Sequence, residues 1–129
     1  MAEEEGPKIE WRIGEWVKEI TGDEIIRFRF FHMELLRFNR TISLVSSKST
    51  YDADLVYFAD CIIAGRMILK NSLAKTIYDF GSGNGFPCIV MCLLDRERKF
   101  ILVEADSKKA EFLKHLKDKL DLKQVTILN

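Results

Sequence analysis

The stretch from Thr76 to Pro87, Thr-Ile-Tyr-Asp-Phe-Gly-Ser-Gly-Asn-Gly-Phe-Pro, constrains this chain more than any other. Thr76, Ile77 and Tyr78 are β-branched or aromatic and predict a strand that ends in the acid Asp79. Gly81, Gly83 and Gly85 then alternate with Ser82, Asn84 and Phe86, and Pro87 opens an apolar run to Leu94. The pattern predicts a strand, a tight turn and a helix with proline at its first position. Glycines permit positive φ and let a ligand lie against bare backbone. The new helix is expected to aim unpaired N–H groups into the turn. Such a turn is a cradle for a nucleotide-type ligand. A dinucleotide fingerprint would need glycine at position 86, which is Phe, and a phosphate-binding loop would need Gly-Lys-Ser/Thr, which is absent.

A second acid strengthens the reading. Phe100-Ile101-Leu102-Val103 predicts a buried strand ending in Glu104, twenty-three positions after Gly81. An acid about 20 residues beyond a glycine turn can accept hydrogen bonds from ribose hydroxyls. The plainer alternative is a strand–helix turn whose glycines serve packing and whose acid caps the next helix.

Around this motif the chain alternates. Strands are predicted at about 75–79, 99–104 and 124–128, with helices at about 87–95 and 107–120 between them. Ala110, Leu113, Leu116 and Leu120 face inward on the last helix, and Lys109, Lys114, Lys117 and Lys119 face outward. Strand–helix alternation implies right-handed crossovers and a parallel sheet. The preceding residues read as helical. Ile13, Trp16, Val17 and Ile20 follow one helical stripe. A second helix spans 23–38 and is apolar on more than one stripe, and residues 39–49 form a polar connector. A third helix starts near 50–52, with Leu55, Phe58, Ala59, Ile62, Ile63 and Met67 inward. The expected division is therefore a helical segment over 1–72 and a strand–helix core over 73–129.

Twenty basic and twenty acidic residues cancel, which removes any global electrostatic case for nucleic acid. Locally the balance is uneven. Ala2-Glu3-Glu4-Glu5 is an acidic start expected to fray. Between positions 27 and 48, Arg27, Arg29, Arg37, Arg40 and Lys48 face only Glu34, so Arg27, Arg37, Arg40 and Lys48 are candidate phosphate contacts. A solvated helix face is the other reading. Cys61, Cys88 and Cys92 lack C-x-x-C spacing and read as buried thiols of a reducing compartment. His32 and His115 lie in separate helical patterns, so no metal site is expected. No charged-then-apolar leader opens the chain and no apolar run approaches about 18 residues, so a cytoplasmic location away from membranes is expected.

The D-x-G-x-G-x-G turn resembles the first motif of Rossmann-like, S-adenosylmethionine-dependent methyltransferases. More specifically, residues from about 33 to 128 resemble the N-terminal half of the GidB/RsmG family, which methylates guanine N7 in 16S ribosomal RNA. Four blocks carry the resemblance. They are Leu36-x-Phe38-Asn39-Arg40, Asp60-Cys61, Asp79-x-Gly81-x-Gly83-x-Gly85-Phe86-Pro87-x-Ile89, and Leu102-Val103-Glu104-x-x-x-Lys108-Lys109-x-x-Phe112-Leu113. The resemblance implies an α/β, Rossmann-like methyltransferase core, present as its first three parallel strands behind an N-terminal helical segment. It implies S-adenosylmethionine as cofactor, held by Asp79, Gly81, Ser82, Gly83, Gly85, Phe86, Glu104 and Ala105, and ribosomal RNA as partner. It assigns no catalytic side chain.

The chain departs from the family pattern at Ser43-Leu44-Val45, Val56-Tyr57, Cys61 and Cys88-Ile89-Val90, where polar or basic groups are usual. It also stops after the third strand, so it reads as a front-half or divergent form. A non-catalytic interaction or regulatory relative is the alternative, and a methyltransferase of another small acceptor is the third reading. With no fourth strand beside it, strand 76–78 would have an open edge. A homodimer is therefore expected, through that edge or through the Phe28/Phe30/Phe31 surface of helix 23–38.

Overall fold

A computed structural model describes residues 11–50 and 52–129. The acidic start at residues 2–5 lies outside them. The element order is α1 (Ile13–Trp16), α2 (Gly22–Phe38), a 3-10 turn (Ser47–Ser49), a π-helix (Asp54–Ala59), α3 (Asp60–Asn71), β1 (Thr76–Phe80), α4 (Cys88–Leu94), β2 (Lys99–Val103), α5 (Ser107–Lys119) and β3 (Val125–Leu128). The three strands form one parallel sheet in the order β1-β2-β3. The architecture is α/β, as the sequence implies.

Local chemistry sets the boundaries. Thr21 starts α2 with a reciprocal capping box, its Oγ1 accepting from the Glu24 N–H at 3.1 Å while Glu24 accepts from the Thr21 N–H at 3.0 Å. Asp106 caps α5 by accepting from the Lys109 N–H at 2.9 Å. The first helix is shorter than its stripe predicts and ends after one turn. Arg12 gives α1 no side-chain cap; its N–H, Nε and Nη2 all go to the Asp54 carboxylate, at 2.9, 3.1 and 2.9 Å. So short a helix has little stability of its own, and the chain extends at Val17. Ile13 and Val17 are buried as expected, whereas Trp16 faces solvent.

The core lies between the helices and one face of the sheet. Phe28, Phe31, Phe58, Phe100 and Phe112 are fully buried within it, and every residue from Cys88 to Leu93 is buried. Burial of Phe28 and Phe31, with Phe30 packed against the same core, removes the aromatic dimer surface expected on helix 23–38. On that helix the exposed apolar residues are instead Ile26 and Met33. On α3, Ile63 and Met67 point outward, contrary to the predicted stripe.

Parallel register puts Ile77, Phe100, Leu102 and Val125 on the helix-covered face. The opposite face carries Tyr78, Phe80, Ile101, Val103, Thr126 and Leu128. Tyr78 is 59% exposed, Phe80 76% and Leu128 50%. The second strand is thus buried at alternate positions only, because helices cover one side of it.

Candidate cofactor site

The turn between β1 and α4 has the backbone its glycines foretell. Gly81, Gly83 and Gly85 have φ of +78°, +51° and +90°, a region that residues with a Cβ avoid. Val103, at the end of β2, ties the turn to the sheet: its carbonyl accepts from the Gly81 N–H at 2.8 Å and the Ser82 N–H at 3.2 Å. Ser82 is buried and donates its hydroxyl to the Asp79 carbonyl at 3.2 Å. The Ser82 carbonyl accepts from the Gly85 N–H at 2.8 Å.

Glu104 reaches this turn. Its Oε1 accepts from the Gly83 N–H at 3.1 Å, and the residue is only 8% exposed. An ionised carboxylate has about four acceptor positions, and this bond uses one of them. The end of β3 holds Glu104 in place: its N–H donates to the Leu128 carbonyl at 2.9 Å, and its carbonyl accepts from Asn129 Nδ2 at 2.9 Å. Asn129 also donates to the carbonyl of Ala105, which is exposed beside it.

The structure therefore brings together Gly81, Ser82, Gly83, Gly85, Phe86, Glu104 and Ala105. Asp79 is joined to the turn through its carbonyl, which accepts from the Ser82 hydroxyl. It shares a sheet face with Ile77 and adds its charge to the burial and the Cys88 contact that push the Cys92 thiol well above its ordinary range. The helix contributes less than expected. Pro87 is the cap residue, not the first helical one, and α4 is a short helix of seven residues. The Ile89 N–H is already bonded to the Gly85 carbonyl at 2.7 Å.

Sequence reasoning passed over Asn84, although an Asn within a turn is a recognisable local-bonding signal. Its Oδ1 accepts from the Phe86 N–H at 3.2 Å, and its Nδ2 donates to the Leu44 carbonyl at 3.1 Å. Asn39 holds the same connector from the other side, accepting from the N–H groups of Leu44 and Val45 at 2.8 and 3.0 Å. The polar connector is thus a wall of the site.

Two of the four candidate phosphate contacts are already engaged within the protein. Arg27 donates to Asp23 at 3.0 Å and to the Leu120 carbonyl at 3.1 Å. Arg37 pairs with Glu34 at 2.5 Å, which also meets His115 at 2.6 Å. Burial raises the Glu34 carboxyl, but the bonds from Arg37 and His115 outweigh it and hold it below its ordinary value. Arg40 and Lys48 are exposed. Among the described residues no helix is long and apolar enough to cross a membrane, and no group of three or more His, Cys, Asp or Glu side chains is placed to hold a metal ion.

The glycine turn and the acid at the end of the next strand, both named by the sequence resemblance, thus lie side by side. Comparison with known proteins decides the matter, because residues 25–129 match the GidB family, rRNA small subunit methyltransferase G. The chain belongs to the GidB family. A GidB relative from Bdellovibrio bacteriovorus, ribosomal RNA small subunit methyltransferase G 3, is 44% identical over 128 residues, covering 98% of this chain and 58% of the relative. Ribosomal RNA small subunit methyltransferase G of Borrelia duttonii is 38% identical over 109 residues, covering 84% and 51%. That of Borreliella burgdorferi is 31% identical over 121 residues, covering 93% and 58%. The chain spans between about half and three fifths of the length of these GidB relatives. GidB membership makes the sheet a Rossmann-like methyltransferase core and implies a methyl donor.

Proposed function

We propose that the turn over Gly81–Gly85 and Glu104 hold S-adenosylmethionine, and that the chain is the cofactor-binding front part of an enzyme that methylates guanine N7 in 16S ribosomal RNA. One observation carries this reading: the bond from the Gly83 N–H to Glu104 places a buried carboxylate against a turn of bare backbone. The donor set fits the ligand. A carboxylate with unused acceptor positions suits two ribose hydroxyls, and Gly81, with nothing within 4 Å of where a Cβ would lie, leaves room above the turn. When bound, the sulfonium supplies an electrophilic methyl group. Guanine N7 already presents a lone pair, so the protein's task is positioning and requires no strong base.

In this reading residues 73–129 form the cofactor core and, among the described residues, 11–50 and 52–72 form its helical wall. Arg40 and Lys48, the exposed pair among the candidate cations, supply RNA phosphate contacts, with Arg27 and Arg37 secondary because their guanidinium groups are engaged. β1 pairs only with β2 among the described residues, and a second copy pairing along its other edge would make a homodimer. A clean monomer by light scattering at high micromolar concentration would defeat that assembly. A non-catalytic relative is the second reading, favoured by exposed, apolar Val56 where the family usually presents a basic group.

Calorimetric titration with S-adenosylmethionine or S-adenosylhomocysteine tests the proposal. Glu104→Ala should weaken binding by about 1–3 kcal/mol, the range for a charge-assisted hydrogen bond. Equal affinity in the two proteins would remove Glu104 from the site. Cofactor binding without methyl transfer to 16S RNA would favour the second reading.

A further inference from the structure

We propose that Tyr57 is the platform on which an unstacked RNA base lands beside the cofactor turn. The inference rests on the reading of that turn given above. Tyr57 lies in the π-helix Asp54–Ala59, a form that is rare and concentrated at functional sites. Within that segment Phe58 points into the core and is fully buried, while its neighbour Tyr57 is turned onto Phe86.

Three rings form a continuous stack. Phe31 lies 4.8 Å from Phe86 at an interplanar angle of 24°, and Phe86 lies 5.0 Å from Tyr57 at 28°. Both pairs have the separations of offset stacking. The stack leads from the core outward, because Phe31 is fully buried whereas Phe86 and Tyr57 are half-buried. Phe86 is the only aromatic ring among the described residues in contact with Tyr57. The outer end of the stack is therefore a half-buried tyrosine ring.

Position makes that ring useful. Phe86 directly follows Gly85 in the turn, whereas Glu104 grips Gly83 from the β2 side. Tyr57, stacked on Phe86, therefore sits next to the turn proposed to hold the cofactor, where the acceptor base must arrive. A base reaches an enzyme's reacting group only when unstacked, and aromatic side chains are the usual replacement for the lost stacking. Val56, the exposed neighbour of Tyr57, is uncharged, so recognition here is by ring contact and not by ion pairing.

The experiment uses the full chain and a single-stranded RNA oligonucleotide with 2-aminopurine in place of one guanine, a base whose fluorescence falls when it stacks. Quenching and affinity are measured for wild type, Tyr57→Phe and Tyr57→Leu, each checked for cooperative unfolding. Tyr57→Leu should lose the quenching and weaken binding by roughly 5- to 150-fold, the range for one base–aromatic stack. Tyr57→Phe should keep both. The wild-type to Leu ratio should not change with salt, unlike contacts to phosphate. Equal quenching by wild type and Tyr57→Leu overturns the proposal, as does equal loss in Phe and Leu. If Tyr57→Leu does not fold, Tyr57→Trp takes its place, and absence of quenching by Trp overturns the proposal. S-adenosylhomocysteine titration of the wild type is read separately. Cofactor binding without Tyr57-dependent quenching defeats the stacking platform alone. Tyr57-dependent quenching without cofactor binding defeats the cofactor reading alone.

Discussion

The glycines of the turn differ in what they resist, and Gly85→Ala should be far more damaging than Gly81→Ala. Both have positive φ, so alanine at either carries a left-handed penalty of about 1–2 kcal/mol. At Gly81 nothing else is within 4 Å of the added Cβ. At Gly85 the Cβ would lie 3.0 Å from Ile89 Cγ1 and 3.0 Å from Phe31 Cζ. Neither neighbour has slack. Phe31 is fully buried, stacked on Phe86 and edge-on to Phe58. Ile89 is anchored by its own N–H to the Gly85 carbonyl at 2.7 Å. Overpacking of this kind costs typically 1–3 kcal/mol. Gly85→Ala is thus expected to cost about 2–5 kcal/mol, a large part of the roughly 5–15 kcal/mol that holds a domain together. Urea denaturation followed by tryptophan fluorescence reads the difference, since Trp11 packs beside His32 and Phe58. With a slope of roughly 1–3 kcal/mol per molar urea, the two variants should separate by about 1 M. The Gly85→Ala penalty should shrink in a Phe31→Leu background, where one of the two close neighbours is smaller. Coincident transitions for Gly81→Ala and Gly85→Ala would refute the packing argument.

Asp54→Ala should cost about 2–4 kcal/mol by chemical denaturation, because it strips three hydrogen bonds from Arg12 around a fully buried carboxylate. Burial raises the Asp54 carboxyl, but the Arg12 bonds prevail and hold it below its ordinary value. Its contribution should be complete above about pH 3.8 and decline as pH falls through the folded-state value. His32 is fully buried, and neither ring nitrogen finds a partner among the described residues; the Thr50 backbone is near without reaching hydrogen-bonding geometry. Burial lowers its pKa, so below about pH 6.5 the unfolded chain binds the extra proton and stability falls with pH, by at most about 1.4 kcal/mol per unit. Denaturation series across that range should flatten in His32→Phe. For RNA, Arg40→Ala and Lys48→Ala should each reduce the salt dependence of binding, by about 0.7 in log–log slope for every phosphate left unneutralised, whereas Arg37→Ala should change it little.

The strand–helix half was legible to within a residue or two because its signals are local: a β-branched run, a glycine turn, and an apolar stripe opposite a row of lysines. The facing of the first half was not. Along the π-helix and α3 the inward seam runs Phe58, Ile62, Gly65 and Leu69. Its glycine is there because a Cβ would lie 3.0 Å from Met91 and 3.3 Å from Leu94 of α4. A glycine reads as a gap in an apolar stripe, and the π-helix before it shifts the phase of the stripe, so Ile63 and Met67 looked inward. Hydrophobic period reveals a stripe but not whether a neighbour exists to cover it, which is why Ile101 and Val103 are less buried than their run suggests. Within the site, spacing brought Glu104 to the glycine turn, but its bond to the Gly83 N–H was not foreseen. The pairing of Glu34 with His115 joins residues far apart in sequence and has no local signature.

The two asparagines at the connector have an engineering consequence. Leu44 is held through its N–H by Asn39 and through its carbonyl by Asn84, so main-chain atoms fix the path of this wall. Of the side chains on either side, exposed Ser43 is correspondingly free to be exchanged without relocating it, whereas Val45 packs against the core. Substitution at Ser43 leaves that frame stationary, whereas a change at Asn39 or Asn84 would move the frame itself.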